Sequence, residues 1–500
     1  MNFKKILIAN RSEIASRIIK ACKALDIETV AIYTPEDQLS KYVYEASEAF
    51  PLSLSGIAGY MNQDEILKIA HTCQSDAIHP GYGFLAEMSE FSQKVIAANL
   101  VWIGPSPKSI KLMGNKIEAR TLMQNTNVPI IPGYHCNSNY KSRAKKEACK
   151  IGYPVLLKAA LGGGGKAIRK INNESEFEQT WDIVNLETKK FFDSSEIFLE
   201  KYIENARHIE VQIAADGKNF IHLFERECSI QRRHQKIIEE CPCNFVKKET
   251  LSAMYEIAIK AAKSINYKNI GTVEFILDSN DNFYFLEMNT RLQVEHPISE
   301  LTTGIDLVKL QIEIAQTNHL ALCQEDITRN GHAIECRILA EDPANNFIPC
   351  CGKIQNLNLP TNPFIRHDHI LEEDLQIQPF FDPMISKLIS FGKNRETAQL
   401  NMISALGEFN ISNIKTNISF LKYLLESPQF QNGQFHTASL NNSNDPLRKN
   451  FLEEKNNNES SEENVMAAIA ATLIFEKLNE NNKTNNKQQQ NNSWKETTWR

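Results

Sequence analysis

The sequence predicts an α/β chain in three folded parts, residues 1–114, 115–330 and 331–441, followed by a polar tail, 442–500. Three observations lead there. Strand-like and helix-like runs alternate through the first 110 residues, the pattern of a doubly wound sheet. An apolar run, Tyr153–Leu161, feeds directly into four consecutive glycines, Gly162–Gly165. Further on, Gly271–Leu277 and Phe283–Met288 flank the turn-rich Asp278–Asn282, as in a β-hairpin.

Composition sets the outer bounds. Five hundred residues leave room for two to four domains, and 42% hydrophobic residues can fill more than one core. The net charge is −6 with acids and bases well mixed, so no nucleic-acid surface is expected. Arg232-Arg233 and Lys145-Lys146 are isolated basic pairs. Eleven cysteines lie scattered, and Cys241-Pro242-Cys243 and Cys350-Cys351 lack the second halves of a zinc site, so reduced thiols are expected. Met1 leads within a few residues into an apolar strand, and no apolar run reaches membrane-spanning length. A cytoplasmic protein with no membrane segment is the expectation.

In the first part, Lys5–Ala9, Glu28–Tyr33, Asp76–His79 and Leu100–Ile103 read as strands and Glu13–Ala24 as a helix. The first turn, Ala9-Asn10-Arg11-Ser12-Glu13, has no G-x-G-x-x-G pattern, so a dinucleotide site is not expected. The second part opens at Asn115-Lys116; alone, Lys116 reads as a surface lysine. The glycine run carries a high entropic cost, and its expected use is a flap whose N–H groups wrap phosphate oxygens. No helix-opening Gly-Lys-Ser/Thr follows, so this is not a Walker loop. Arg207–Ile213 alternates as a strand, and Arg226–Ile238 reads as one strand, partly buried and partly facing a ligand.

The hairpin is the centre of the chain. Antiparallel pairing would bring Glu274 and Glu287 side by side among apolar neighbours, where two carboxylates repel unless a cation joins them. Hard oxygen donors of this kind suit Mg²⁺, with Asn289 as a third oxygen. Arg291 and Glu295 follow, four apart, beside His296. The third part begins with a strand over His332–Ile338, on which Arg337 has Glu335 as a same-face partner. Asn, Gln, Lys and Glu dominate the tail, within which Glu463–Asn479 reads as one helix.

Glu287–Pro297, E-M-N-T-R-L-Q-V-E-H-P, resembles the signature of biotin carboxylases in the ATP-grasp superfamily. His79–Leu85, Met113–Lys116, Gly162–Lys166, Phe198–Ile203, Arg226–Lys236, Phe381–Leu388 and Thr416–Leu421 resemble the same family in the same order, over residues 1–441. The resemblance implies a pre-ATP-grasp Rossmann-like domain, an ATP-grasp domain with a glycine-rich flap, and a C-terminal α+β domain. It also implies carboxylation of biotin from ATP and bicarbonate through carboxyphosphate. By resemblance Lys116, Lys158, Gly164 and Gly165 hold the phosphates; Glu200, Lys201, Tyr202 and Ile203 receive adenine; His208, Gln231 and His234 lie near the nucleotide. Glu274, Glu287 and Asn289 would hold Mg²⁺ or Mn²⁺. Arg291, Lys236 and the Val294 backbone would hold bicarbonate, Glu295 would serve as general base, and Arg337 would stabilise the enolate oxygen of biotin.

The sequence departs from the family pattern at Ser12 and Ala167, where glycine is usual, and at Cys351, where proline is usual. It is most like the biotin carboxylase portion of acyl-CoA carboxylase α subunits of the methylcrotonyl and propionyl type. No Met-Lys-Met biotin-attachment motif is present, so a separate biotin carboxyl carrier protein and a carboxyltransferase subunit are the implied partners, with a homodimer as the family expectation. Two rivals stay open: another ATP-grasp carboxylate–amine ligase, and a subunit that has lost catalysis.

Overall fold

The computed structural model describes residues 2–137, 140–159, 168–192, 196–441 and 446–452. Gly164, Gly165 and the helix expected at Glu463–Asn479 lie outside the described residues. The chain divides into two compact units, Met1–Asn442 and Ser443–Arg500. In the second, residues 446–452 are helical. Everything below concerns the first.

Five short parallel strands open the chain: β1 (Lys5–Ile8), β2 (Glu28–Tyr33), β3 (Glu48–Pro51), β4 (Ala77–His79) and β5 (Val101–Trp102). Their order, β3-β2-β1-β4-β5, reverses direction at β1, as in doubly wound sheets. Helix Ser12–Lys23 buries Ile14, Ile18 and Ile19, and that face joins a core that continues through Leu292, Leu307 and Ile312. Ser12 starts this helix at φ +61°, a left-handed conformation that a side chain disfavours.

A small antiparallel sheet follows, with β6 (Gly133–Asn137), β7 (Val155–Ala159), β8 (Ile168–Ile171) and β9 (Glu196–Lys201) in the order β6-β9-β7-β8. The large sheet comes next, built from β10 (Arg207–Asp216), β11 (Phe220–Arg232), β12 (Gln235–Cys241), β13 (Lys268–Leu277), β14 (Phe283–Asn289) and β15 (His332–Leu339). Two further strands, Met384–Gly392 and Ile365–His369, complete it. The order is β14-β13-β10-β11-β12-β15 and then those two. The sheet therefore crosses residue 330 without interruption, because β12 pairs directly with β15.

One expectation fails here. Arg226–Ile238 is not a single strand: β11 ends at Arg232, and Arg233 and His234 turn the chain at φ +52° and +66° into β12. Two successive residues at positive φ make a type I′ hairpin turn, which sequences announce with Asn-Gly or Asp-Gly. Arg-His carries no such signal.

Candidate active site

Strand register assembles the site. Glu287 of β14 stands opposite Glu274 of β13, Glu274 opposite Glu210 of β10, and Glu210 opposite Arg226 of β11. Directly paired residues share a face of a sheet, so one row across four strands carries three carboxylates and a guanidinium. The side-by-side placement expected for Glu274 and Glu287 is what the register gives.

Cations neutralise this row from two directions. Arg226 is fully buried and donates from Nε to Glu210 at 2.5 Å, and from Nη1 to Gln212 at 2.7 Å and Ser299 at 2.9 Å. Lys236, from the start of β12, donates to Glu210 at 2.5 Å, Glu274 at 2.9 Å and Glu295 at 2.6 Å. Burial works against the Lys236 ammonium, but the charges of Glu210, Glu274 and Glu295 outweigh it and hold its pKa well above the usual lysine range. Glu295 is the mirror image. Burial would raise its pKa, yet Lys236, Arg337 and Arg226 hold it well below the usual carboxylate range.

Glu295 immediately precedes helix His296–Thr303, whose first turn contains Pro297 and which ends at Gly304 in a left-handed conformation, φ +74°. A helix N-terminus favours negative charge, so the fold adds to the stabilisation of the ionised carboxylate. The second oxygen of Glu295 accepts from Arg337 Nη2 at 3.0 Å, and Arg337 Nε donates to Glu239 at 2.6 Å. Arg337 therefore pairs with Glu239 and Glu295, not with its strand neighbour Glu335. The β12–β15 pairing is what brings this residue, beyond position 330, to Lys236 and Glu295.

His208 Nε2 lies 3.0 Å from Glu274, and the Gln231 amide lies 3.0 Å from the other ring nitrogen, so these two stand beside the carboxylate row. His234 does not join them; it sits exposed on the β11–β12 turn. Asn289 donates from Nδ2 to Glu274 at 2.8 Å and presents Oδ1 to Arg291 Nη2 at 3.0 Å. Arg291 Nε reaches Glu87, which follows β4, at 3.1 Å. The Val294 carbonyl accepts from the buried Lys387 at 3.0 Å.

Next to the row, an open cleft is lined by Lys116, Arg120, Lys158, Phe198, Glu200 and Glu287. Lys158 donates to Glu200 at 2.5 Å. Lys201 turns away from it and binds the carbonyls of Gly152 and Tyr153 at 2.9 and 3.0 Å, while Tyr202 lies under Lys170 at 4.4 Å and Ile203 is half-buried.

A divalent cation fits the donor set. Burial and then the charge of Glu274 raise the pKa of Glu287, a repulsion that a dication between the two would relieve. Asn289 would present its oxygen to the ion only with the amide turned over.

Sequence reading missed Glu87, Glu210, Arg226, Glu239 and Gln293 as participants. Gln293 donates to Glu274 at 2.7 Å and accepts from Arg226. Glu210 sat in the strand with a readable alternation and Gln293 inside the long motif, so both had a signal. For Glu239 there was none, because its importance comes from register alone.

A cleft lined by basic and acidic side chains of two sheets, beside a buried row of carboxylates and cations, is the kind of site that suits an enzyme acting on phosphates, and comparison with known proteins places it more closely. Family models match in chain order: "Biotin carboxylase, N-terminal domain" over 2–110, "Carbamoyl-phosphate synthase L chain, ATP binding domain" over 115–323 and "Biotin carboxylase C-terminal domain" over 335–442. The chain belongs to the biotin carboxylase family. It is 47% identical over 442 residues to a biotin carboxylase of Halalkalibacterium halodurans, covering 88% of this chain and 98% of that one. It is 42% identical over 436 residues to the mitochondrial methylcrotonoyl-CoA carboxylase subunit alpha of Rattus norvegicus, covering 87% of this chain and 61% of that longer one. Among solved structures, the biotin carboxylase domain dimer of Hydrogenobacter thermophilus 2-oxoglutarate carboxylase, in complex with MgADP, ADP and bicarbonate, superposes with a TM-score of 0.84. It shares 44% identity over 88% of this chain and 97% of that one. The Ser12 departure now has a physical form, since glycine is the residue that occupies positive φ without strain. Among the described residues no helix is long and apolar enough to cross a membrane.

Proposed function

We propose that this chain uses ATP and bicarbonate to carboxylate biotin carried on a biotin carboxyl carrier protein, the first half-reaction of a biotin-dependent carboxylase. The observation that carries the reading is Glu295, which accepts from Lys236 on one oxygen and from Arg337 on the other. One carboxylate thereby borders both the place where bicarbonate would be activated and the place where biotin would be held.

In this reading Lys116 and Lys158 meet the phosphates in the cleft, and the family resemblance adds Gly164 and Gly165, which lie outside the described residues. Glu200, Lys201, Tyr202 and Ile203 offer mainly backbone to adenine, His208 and Gln231 face the nucleotide, and His234 reaches it only from the turn. Glu274, Glu287 and a turned Asn289 hold Mg²⁺ or Mn²⁺, which supplies charge neutralisation for phosphoryl transfer. Arg291, Lys236 and the Val294 N–H hold bicarbonate, and Glu295 takes its proton. Held by Lys236 and Arg337, Glu295 is too stabilised as an anion to be a strong base. Its basicity rises as Lys236 turns from Glu295 towards bicarbonate. Arg337 then stabilises the oxygen of the biotin enolate, an oxyanion-type task.

A carboxyltransferase subunit, a homodimeric state and a cytoplasmic location complete the proposal; the dimer of the Hydrogenobacter thermophilus domain supports the second. Two domain boundaries, near residues 114 and 330, and a separate tail, 442–500, belong to the same reading. The test is ATP cleavage. It should depend on bicarbonate and be stimulated by free biotin. An ATP-grasp ligase of another class would cleave ATP without the biotin response, and a subunit without catalysis would not cleave it.

A further inference from the structure

Glu239 is buried in β12 and stands directly opposite Glu335 of β15. Its Oε1 accepts from Arg337 Nε at 2.6 Å and lies 2.6 Å from Nη2 of the same guanidinium. Arg337 is thus gripped from two sides, by Glu239 and by Glu295 at 3.0 Å. The two carboxylates are not equivalent. Glu295 also accepts from Lys236, and any proton it takes or turn it makes loosens its hold on Nη2. Glu239 makes no hydrogen bond to any other cation among the described residues, and its second oxygen has no partner there. A buried carboxylate is costly, and this one is matched by a single guanidinium.

We propose that Glu239 is the positioning residue for Arg337. It fixes the Nε edge so that Nη1, which donates no hydrogen bond among the described residues, stays turned towards biotin while Glu295 is engaged with bicarbonate. The inference rests on the reading of Arg337 as the biotin-facing cation. Glu335 provides the internal comparison: it is equally buried, on the neighbouring strand, and neither of its oxygens has a hydrogen-bond partner among the described residues.

The experiment uses the full chain with free biotin, following ATP-dependent fixation of labelled bicarbonate and bicarbonate-dependent ATP cleavage in parallel. Glu239→Gln keeps the shape and removes the charge, and should raise KM for biotin roughly tenfold or more, the effect of weakening a charge-assisted hydrogen bond. KM for bicarbonate should stay within about twofold, Glu239→Asp should recover part of the biotin affinity, and Glu335→Gln should leave the ratio of the two KM values unchanged. The proposal is overturned if Glu239→Gln leaves KM for biotin near the wild-type value while Arg337→Ala raises it. It is also overturned if Glu239→Gln and Glu335→Gln depress both reactions alike, since that would be a structural effect. If Arg337→Ala itself leaves KM for biotin unchanged, the assignment of Arg337 fails first and this inference with it.

Discussion

Arg337 and Glu295 are hydrogen-bonded at 3.0 Å, although one lies on β15 and the other just before helix His296–Thr303, 42 residues apart in sequence. Their meeting depends on the sheet that runs from β14 through β12 to β15, and it places an expected biotin contact against an expected base. The consequences can be measured.

Removing the lysine at the centre of the carboxylates should be costly. Lys236→Met leaves Glu210, Glu274 and Glu295 buried without their shared cation, and breaking a buried ion pair in this way costs about 3–5 kcal/mol. The sign with pH follows. Without Lys236 burial is opposed by less positive charge at Glu274 and Glu295, so their folded-state pKa values move up, and once above the unfolded value the folded protein holds protons that the unfolded chain releases. The deficit should then shrink as pH falls from 8 towards 5.5. Denaturant melts of both proteins at the two pH values check it; a deficit that grows in acid would contradict the electrostatic account.

Mg²⁺ dependence should carry the signature of Glu287. Its pKa is raised by burial and by Glu274, so protons compete with the metal at higher pH than they would at an ordinary glutamate. Apparent Mg²⁺ affinity should improve as pH rises through that raised value. Glu287→Gln should lose at least roughly tenfold in Mg-ATP turnover while its melting temperature is unchanged or higher, because a carboxylate repulsion has gone. Near-normal turnover in this variant would remove Glu287 from the metal site.

The first domain offers a backbone test. Ser12 at φ +61° holds a conformation that costs a non-glycine residue roughly 1–2 kcal/mol, partly offset by the greater freedom of glycine in the unfolded chain. Ser12→Gly should therefore be neutral to stabilising by up to about 1 kcal/mol, and Ser12→Val clearly destabilising. Thermal melts of the two variants read this directly.

These tests fall on residues of very different legibility. The hairpin bearing Glu274 and Glu287 could be read because its strands are short, apolar and separated by an Asp/Asn-rich turn, and antiparallel pairing alone then sets the two acids together. Four strands of the first sheet were legible because its strands and helix differ in period, whereas the edge strand β3 was not named. Arg233 and His234 were not, because a type I′ turn made by two large polar residues has no compositional mark. Nor could the sequence foretell that Arg337 would leave Glu335 for Glu239 and Glu295. That choice is made by the β12–β15 register, a long-range pairing that no local pattern encodes.

The division of labour at the Arg337–Glu295 contact is the central claim, and one measurement addresses it: ATP cleaved per carboxybiotin formed, with free biotin and labelled bicarbonate. Arg337→Ala should retain bicarbonate-dependent ATP cleavage and lose carboxybiotin, so the ratio should rise at least roughly tenfold. Glu295→Ala should lose both reactions together. An Arg337→Ala enzyme in which ATP cleavage and carboxybiotin formation fall in step, as in Glu295→Ala, would contradict the account.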